Sequence, residues 1–325
     1  MEVQIGIIQA LQSQAAWLDI PMRIFSFLGL PEFYLLVIPL FYWCRDPRFG
    51  LRIGLLLGLT AGLNDALKIA FHLPRPYWVS GEVAVLNTYP SFGLPSAHAQ
   101  GAATFWGYIA AKARRWWVTA LAAVLVVLIG VSRVYEGVHF PMDTVAGWVV
   151  GLAVLAVFLR FEEPAAARLA RLPVQRQVLA AALASLGLLA LSLAAVASLG
   201  DWHLPQAWVT EALARSGEPI DPLYPRDGLI ATGMLFGFAA GAALQSHRGS
   251  MCSADARAGV LLLRYLFGIA VAGAIWLGFG LVVPDGDGFA AYALTYLRAT
   301  VAAGWVSFGA PEVFYRMNLA KREEG

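Results

Sequence analysis

The sequence predicts an all-α fold, a polytopic transmembrane helix bundle, and three observations lead to this class. Of the 325 residues, 59% are hydrophobic and only 14% are charged, and the mean hydropathy is +0.65. Apolar stretches of about 20 residues, the length that crosses a bilayer core, recur along the chain. Basic residues collect in alternate loops between those stretches, as expected for cytoplasmic loops of a membrane protein. Together these features exclude an ordinary soluble domain.

The apolar stretches predict about nine membrane spans. In chain order they cover residues 22–44, 50–71, 96–112, 116–134, 140–160, 177–199, 228–246, 259–283 and 290–309. Residues 1–21 are interpreted as an interfacial amphipathic helix rather than a span. The last three spans are rich in Ala and Gly, which favours close helix packing in lipid.

Charge placement predicts the orientation of these spans. Fifteen of the 23 Lys and Arg residues lie in loops on one side: Arg45, Arg48, Arg52, Lys112, Arg114, Arg115, Arg160, Arg168, Arg171, Arg176, Arg248, Arg257, Arg316, Lys321 and Arg322. The opposite loops are acidic, with Glu211, Glu218, Asp221, Asp227, Asp285 and Asp287. The N-terminus is therefore predicted outside and the C-terminus in the cytoplasm. Orientation already accounts for the basic residues, so the net charge of +2 suggests no nucleic-acid partner.

Two cysteines occur, and both lie at cytoplasmic ends of predicted spans. They are Cys44 and Cys252. The cytoplasm keeps thiols reduced, so no disulfide is expected.

The unusual polar residues collect in three segments at the predicted outer ends of spans. One runs from Lys68 to Pro76, the second is Pro95-Ser96-Ala97-His98, and the third runs from Ser132 to Asp143. Charged side chains that border hydrocarbon are costly unless they pair or face water. Their shared depth therefore indicates one functional site.

The cations and the helix start in these segments suit a phosphate group. Lys68, Arg75 and Arg133 would neutralise it, and arginine can donate paired hydrogen bonds to its oxygens. Ser96 and the N–H groups around Ala97 lie at a helix N-terminus, which favours anions. No metal or other cofactor is needed in this scheme, because three cations and the helix donors can stabilise the transferring group.

The two histidines in these segments suit covalent and proton-transfer chemistry. His139 and Asp143 are four residues apart, so a helix after Pro141 places the carboxylate against one ring nitrogen of His139. The other nitrogen is then free to attack phosphorus. His98 is suited to protonate the leaving oxygen.

The three segments fit the patterns K-x6-R-P, P-S-x-H and S-R-x5-H-x3-D. With these motifs the chain resembles the type 2 phosphatidic acid phosphatases. This lipid phosphate phosphatase superfamily also includes the vanadium haloperoxidases and glucose-6-phosphatase. The resemblance covers about residues 22–160 and has one departure, Ala97 at a position that is commonly Gly.

The resemblance implies a role for each motif residue. It implies a phosphohistidine at His139, which Asp143 orients, with His98 as acid and then base. It also implies phosphate binding by Lys68, Arg75, Ser96, Ala97 and Arg133.

The resemblance also suggests a domain division. Residues 1–21 would form the N-terminal helix, residues 22–200 a six-span phosphatase core, and residues 201–325 an external loop followed by about three further helices. Those helices are interpreted as a packing or dimerisation appendage, so a homo-oligomer is one alternative. A lateral groove for lipid tails is another.

The leading hypothesis is a metal-independent membrane phosphatase that removes a phosphomonoester or pyrophosphate group from a lipid. We expect it in a bacterial or archaeal inner membrane, with the site on the outer face. Two alternatives stay open. A phosphotransferase would use the same phosphohistidine, and a lipid transporter or scramblase would use the late spans. The sequence leaves the lipid undefined.

Four further polar and aromatic residues are assigned structural roles. Asn64 and Asp65, within the second span, are interpreted as structural partners rather than parts of an ion path. Tyr77 and Trp78 are interpreted as interfacial aromatic residues, with a place in the floor of the site as the alternative.

Overall fold

The computed structural model describes residues 1–248, 256–284, 286 and 288–320, and it is helical without β-strands over those residues. The helices are α1 (Glu2–Gln12), α2 (Ala15–Phe27), α3 (Pro31–Cys44), α4 (Pro47–Phe71), α5 (Pro76–Val79), α6 (Ala97–Ala113), α7 (Trp116–Tyr135), α8 (Pro141–Ala170), α9 (Val174–Ser198), α10 (Gln206–Ser216), α11 (Arg226–His247), α12 (Ala258–Gly280), α13 (Phe289–Gly304) and α14 (Ala310–Arg316). A π-helical segment, Trp305–Gly309, joins the last two. The predicted fold class is confirmed.

Six of the described helical segments are long and apolar enough to cross a membrane. A seventh candidate is the pair Trp17–Phe27 and Pro31–Cys44, which bends by 50°. The predicted spans 96–112 and 290–309 correspond to α6 and α13, which have 17 and 16 residues. A helix therefore lies at each of the nine predicted segments, but within the described residues six qualify as spans, or seven with the bent pair, so the count of nine stays a prediction.

The predicted N-terminal helix over residues 1–21 is two helices in the structure. α1 ends at Gln12, and α2 continues through Pro21 to Phe27. Some sequence predictions lie outside the described residues, namely those for Cys252, Asp285, Asp287, Lys321 and Arg322. The domain boundaries at residues 21 and 200 stay a prediction.

The chain forms two compact units. The first contains residues 1–33, 63–158 and 191–225. Within it, Gly147 and Gly151 of α8 lie against the start of α6. A Cβ atom at these positions would come within 2.6 Å of the carbonyl oxygens of Ser96 and Gln100, respectively. Glycine thus allows α8 to approach the α6 backbone closely.

The second unit contains residues 34–62, 159–190 and 226–325. Its core includes Tyr42 and Trp43, which donate to the backbone carbonyls of Ser307 and Val306 at 3.0 and 2.8 Å. Gly233 of α11 packs on α13 at Tyr296, which agrees with the predicted role of small residues. The Cys44 thiol is free and lies 3.5 Å from the Leu261 carbonyl oxygen.

Candidate active site

All three motif segments meet within the first unit. α4 carries Lys68 near its end, and Arg75 directly precedes α5. α6 begins at Ala97, and the third segment passes from α7 through a short loop into α8. The Ser96 N–H donates to the Asp143 backbone carbonyl at 2.9 Å, which joins the second and third segments directly. The structure therefore brings every predicted site residue to one cluster.

Local sequence features create the breaks between these helices. Gly137 has a φ of +74°, a conformation that favours glycine, and it lies in the turn after α7. Pro141 then begins α8, where a proline has no hydrogen bond to lose. Ser96 caps α6 by accepting from the Ala99 N–H at 3.5 Å. These signals place His139 in the loop and His98 in the first turn of α6.

His139 and Asp143 form the predicted pair. Nδ1 of His139 lies 3.3 Å from Oδ2 of Asp143, which also accepts from the Phe140 N–H at 2.9 Å. The carboxylate favours a proton on Nδ1, so Nε2 keeps its lone pair. That lone pair faces Nη1 of Arg75 at 3.2 Å. His139 is thus oriented from one side and presents its other nitrogen to a cation.

The guanidinium group of Arg75 forms hydrogen bonds with several neighbouring residues. It donates to the Ser91 carbonyl and hydroxyl at 2.6 and 3.2 Å, to the Phe92 carbonyl at 3.2 Å and to the Val138 carbonyl at 2.9 Å. With the contact to His139, these bonds employ its five N–H groups. Lys68 donates to the Phe92 carbonyl as well. The 91–93 backbone therefore holds two of the predicted phosphate-binding cations in place.

The hydrogen bonds of Arg133 lie at one edge of its guanidinium group. Its Nη1 donates to Ser26 Oγ and to Glu136 Oε2, the latter at 2.7 Å. Within the described part of the chain, its Nε and Nη2 are buried without a hydrogen-bond partner, and so is Nε2 of His98. An unpaired buried polar group costs about 1–3 kcal/mol. These nitrogens are therefore suited to bind an anion.

Burial and charge keep His139 neutral. The residue lies between the spans α7 and α8 and is 2% exposed. Desolvation, followed by the charges of Arg75, Lys68 and Arg133, lowers the pKa of His139 well below its ordinary value of 6.5. A neutral imidazole is the form that can act as a nucleophile.

Asn64 supports the second motif, as its structural interpretation predicted. Its Nδ2 donates to Gln100 Oε1 at 2.7 Å and to the Pro95 carbonyl at 3.2 Å. Ala97 is exposed at the start of α6, so its methyl group does not lie among the buried side chains.

Tyr89 also belongs to the site, although the sequence interpretation did not include it. The guanidinium carbons of Arg75 and Arg133 lie 5.0 and 5.1 Å from its ring centroid. The His98 ring meets it edge-on at 5.9 Å. The available signal was an aromatic residue before Pro90, between two phosphate motifs, which is weak without the fold.

Tyr77 and Trp78 belong to the protein interior rather than an aromatic belt, so the interfacial interpretation was wrong. Each is 1% exposed. They pack with Trp202, Trp208 and other residues of the 201–225 segment in one apolar cluster. This segment therefore packs on α5, which follows Arg75, because burying the aromatic rings stabilises the contact.

The apolar helices of this fold define an integral membrane protein, and its first unit contains a buried cluster of cationic side chains. Residues 49–166 match the PAP2 superfamily model, and residues 229–322 match the model described as the transmembrane extension of a PAP2 superfamily phosphatase. The chain belongs to the PAP2 superfamily. The resemblance predicted from the three motifs is confirmed.

Curated relatives include phosphatidylglycerophosphatase B of Bacillus subtilis, 31% identical over 45% of this chain and 76% of that protein. A probable sphingosine-1-phosphate phosphatase of Dictyostelium discoideum is 31% identical over 46% of this chain. The match covers 40% of the Dictyostelium protein. The predicted enzyme class, a phosphoric ester hydrolase, agrees with these matches.

Two solved structures are similar in part. A PAP2-type phosphatidylglycerolphosphate phosphatase from Bacillus subtilis is 29% identical, with a TM-score of 0.40 over 49% of this chain and 86% of that one. LpxE of Aquifex aeolicus is 24% identical, with a TM-score of 0.43 over 48% of this chain and 93% of that one.

Proposed function

We propose that this protein is a membrane lipid-phosphate phosphatase that acts through a phosphohistidine on His139 and needs no metal ion. One observation carries the proposal: a buried His139 oriented by Asp143 lies in the same cluster as nitrogens of Arg133 and His98 that have no hydrogen-bond partner among the described residues. These are the groups that phosphoryl transfer to histidine requires, namely a nucleophile, a cation that binds the phosphoryl oxygens and an acid.

In the first step, Nε2 of His139 attacks phosphorus while the bond between phosphorus and the leaving oxygen breaks. His98, whose protonated form the bound phosphate favours, gives its proton to that oxygen, so the leaving oxygen departs protonated rather than as an oxyanion. Asp143 stabilises the positive charge that forms on the His139 ring. Nε and Nη2 of Arg133 bind phosphoryl oxygens, and the phosphate replaces His139 as the partner of Arg75 Nη1.

In the second step, water replaces His139 on phosphorus. Neutral His98 accepts a proton from that water, the oxygen bonds to phosphorus, and the P–Nε2 bond breaks with its electron pair returning to nitrogen. Inorganic phosphate leaves, and His98 is again protonated for the next cycle. Lys68 and the first turn of α6 contribute positive potential throughout.

The proposed substrates are phosphate esters or diphosphates of membrane lipids. The relatives named above are a probable sphingosine-1-phosphate phosphatase and a phosphatidylglycerophosphatase, and a further relative is an undecaprenyl-diphosphatase of Sulfolobus acidocaldarius, 28% identical over 33% of this chain. We place the site on the outer face of a bacterial or archaeal inner membrane, which the basic loops on the opposite side support.

Phosphate release from a panel of these lipids in detergent micelles tests the proposal. We expect turnover on at least one lipid, inhibition by orthovanadate and unchanged activity after EDTA treatment. His139→Ala should reduce turnover by at least about 10³-fold, because it removes the nucleophile. His203→Ala is the matched control, since His203 is exposed and lies outside the motifs.

Rapid acid-free quenching with a radiolabelled lipid phosphate tests the intermediate itself. The wild-type chain should carry an acid-labile label, whereas His139→Ala should carry none. Wild-type turnover by His139→Ala would contradict the mechanism, and a strict need for a divalent ion would contradict its metal independence. If the label moves to an acceptor other than water, the protein is a phosphotransferase.

A further inference from the structure

Tyr89 contacts three groups of the proposed phosphate site, yet none of the three motifs includes it. Its ring lies about 5 Å from the guanidinium carbons of both Arg75 and Arg133. It also meets the ring of His98 edge-on. The side chain is partly exposed, whereas the three groups it contacts are buried. Tyr89 therefore lies on the open side of the cationic cluster.

The position of Tyr89 is fixed by a buried hydroxyl group. The Tyr77 hydroxyl donates to the Tyr89 carbonyl at 3.0 Å and accepts from the Tyr89 N–H at 3.1 Å. Tyr77 itself is anchored in the apolar cluster formed with the 201–225 segment. Two hydrogen bonds, one to the N–H and one to the carbonyl of the same residue, hold the Tyr89 backbone, so the location of the ring is built into the fold.

The ring is placed to act on the two arginines together. The face of an aromatic ring carries negative potential and attracts a guanidinium group. Arg75 has bonds at all five N–H groups, but among the described residues Arg133 forms hydrogen bonds through Nη1 alone. The Tyr89 ring is a further contact that restrains the guanidinium plane of Arg133 and thus the direction of Nε and Nη2. It also offsets the repulsion between two cations that share one pocket.

We propose that Tyr89 is a positioning residue of the phosphate site, which keeps Arg133 and Arg75 ordered for the incoming phosphoryl group. This inference rests on the proposed function, because the phosphoryl group is the ligand. The aromatic face carries the effect, and the hydroxyl does not take part. Phenylalanine at this position should therefore preserve the function of the phosphate site, whereas leucine should not.

Orthovanadate inhibition and steady-state kinetics on the best lipid of the panel test this role. Tyr89→Phe should keep the wild-type KM and orthovanadate affinity. Tyr89→Leu should weaken orthovanadate binding and lower kcat/KM by about 10-fold to 100-fold, because two cation–ring contacts are lost. Tyr77→Phe, which releases the backbone of Tyr89 but keeps all rings, should give an intermediate loss.

The controls separate this inference from the proposed function. A wild-type chain that neither responds to orthovanadate nor releases phosphate from any lipid overturns the proposed function. An active wild type with equal kinetics and orthovanadate affinity in Tyr89→Leu and Tyr89→Phe overturns the role of Tyr89 alone. A gain in kcat/KM for Tyr89→Leu also overturns it, since the ring would then obstruct the site. If Tyr89→Leu does not fold, a wild-type orthovanadate affinity in folded Tyr77→Phe overturns the inference.

Discussion

At the scale of single residues, the charge state of His139 follows from its surroundings. Burial, followed by the charges of three neighbouring cations, lowers the pKa of this histidine well below 6.5. A lowered pKa means that the ring stays neutral, and therefore nucleophilic, until the pH falls through that lowered value. The cations that bind phosphate thus also preserve the nucleophile.

This charge state predicts the pH dependence of the reaction. The acid limb of kcat/KM should lie below pH 6.5. Lys68→Met should move it upward by roughly half a pH unit, because a cation that opposed protonation of His139 is gone. Profiles of wild type and variant on the same lipid phosphate measure the difference. Lys112→Met is the control, because Lys112 lies at the opposite end of α6, and it should leave the limb in place.

The chemistry of the motif residues could be predicted from the sequence, but the contact of Tyr89 with the two arginines could not. His139 lies two residues before α8 and Asp143 lies in its first turn, so the local geometry of the helix start suffices for that pair. The backbone of Tyr89 is held beside the arginines by hydrogen bonds to the hydroxyl of Tyr77, which is 12 residues earlier in the chain. That contact depends on tertiary packing, which a single sequence does not encode in its spacing.

At the scale of elements, the close packing of α6 against α8 keeps the two histidines together. His98 lies in the first turn of α6, and His139 lies just before α8. Gly147 and Gly151 allow that approach. Gly151→Ala should lower stability by about 1–3 kcal/mol, because its Cβ would overlap the Gln100 carbonyl. Thermal unfolding in detergent measures this loss. Gly187→Ala in α9 is the control, since nothing lies within 4 Å of the added atom, and equal loss in both variants would contradict the explanation.

Element positions could be predicted more closely than element shapes. Apolar length located α7, α8 and α9 because hydropathy reports what a segment must bury. Hydropathy does not report where a helix bends, so the 50° break between Phe27 and Pro31 was not predicted. The division of residues 1–21 into two helices was missed for the same reason, since both parts are amphipathic.

At the scale of the whole molecule, orientation in the membrane decides which leaflet supplies the lipid. The loop between α4 and α6 belongs to the site end of α6, whereas the turn between α8 and α9 lies at the opposite end of α8. Glu82 and Arg171 are exposed representatives of these two loops. Because basic residues prefer the cytoplasm, the Arg171 turn should face inward and the Glu82 loop outward.

Single cysteines at these two positions test that orientation in intact cells. With Cys44 and Cys252 replaced by serine, Glu82→Cys should react with a membrane-impermeant maleimide, and Arg171→Cys should react only after permeabilisation. The cysteine-free chain is the labelling control, and phosphate release shows that each variant is folded. The opposite labelling pattern would place the site on the cytoplasmic face, where it would draw its lipid phosphate from the inner leaflet.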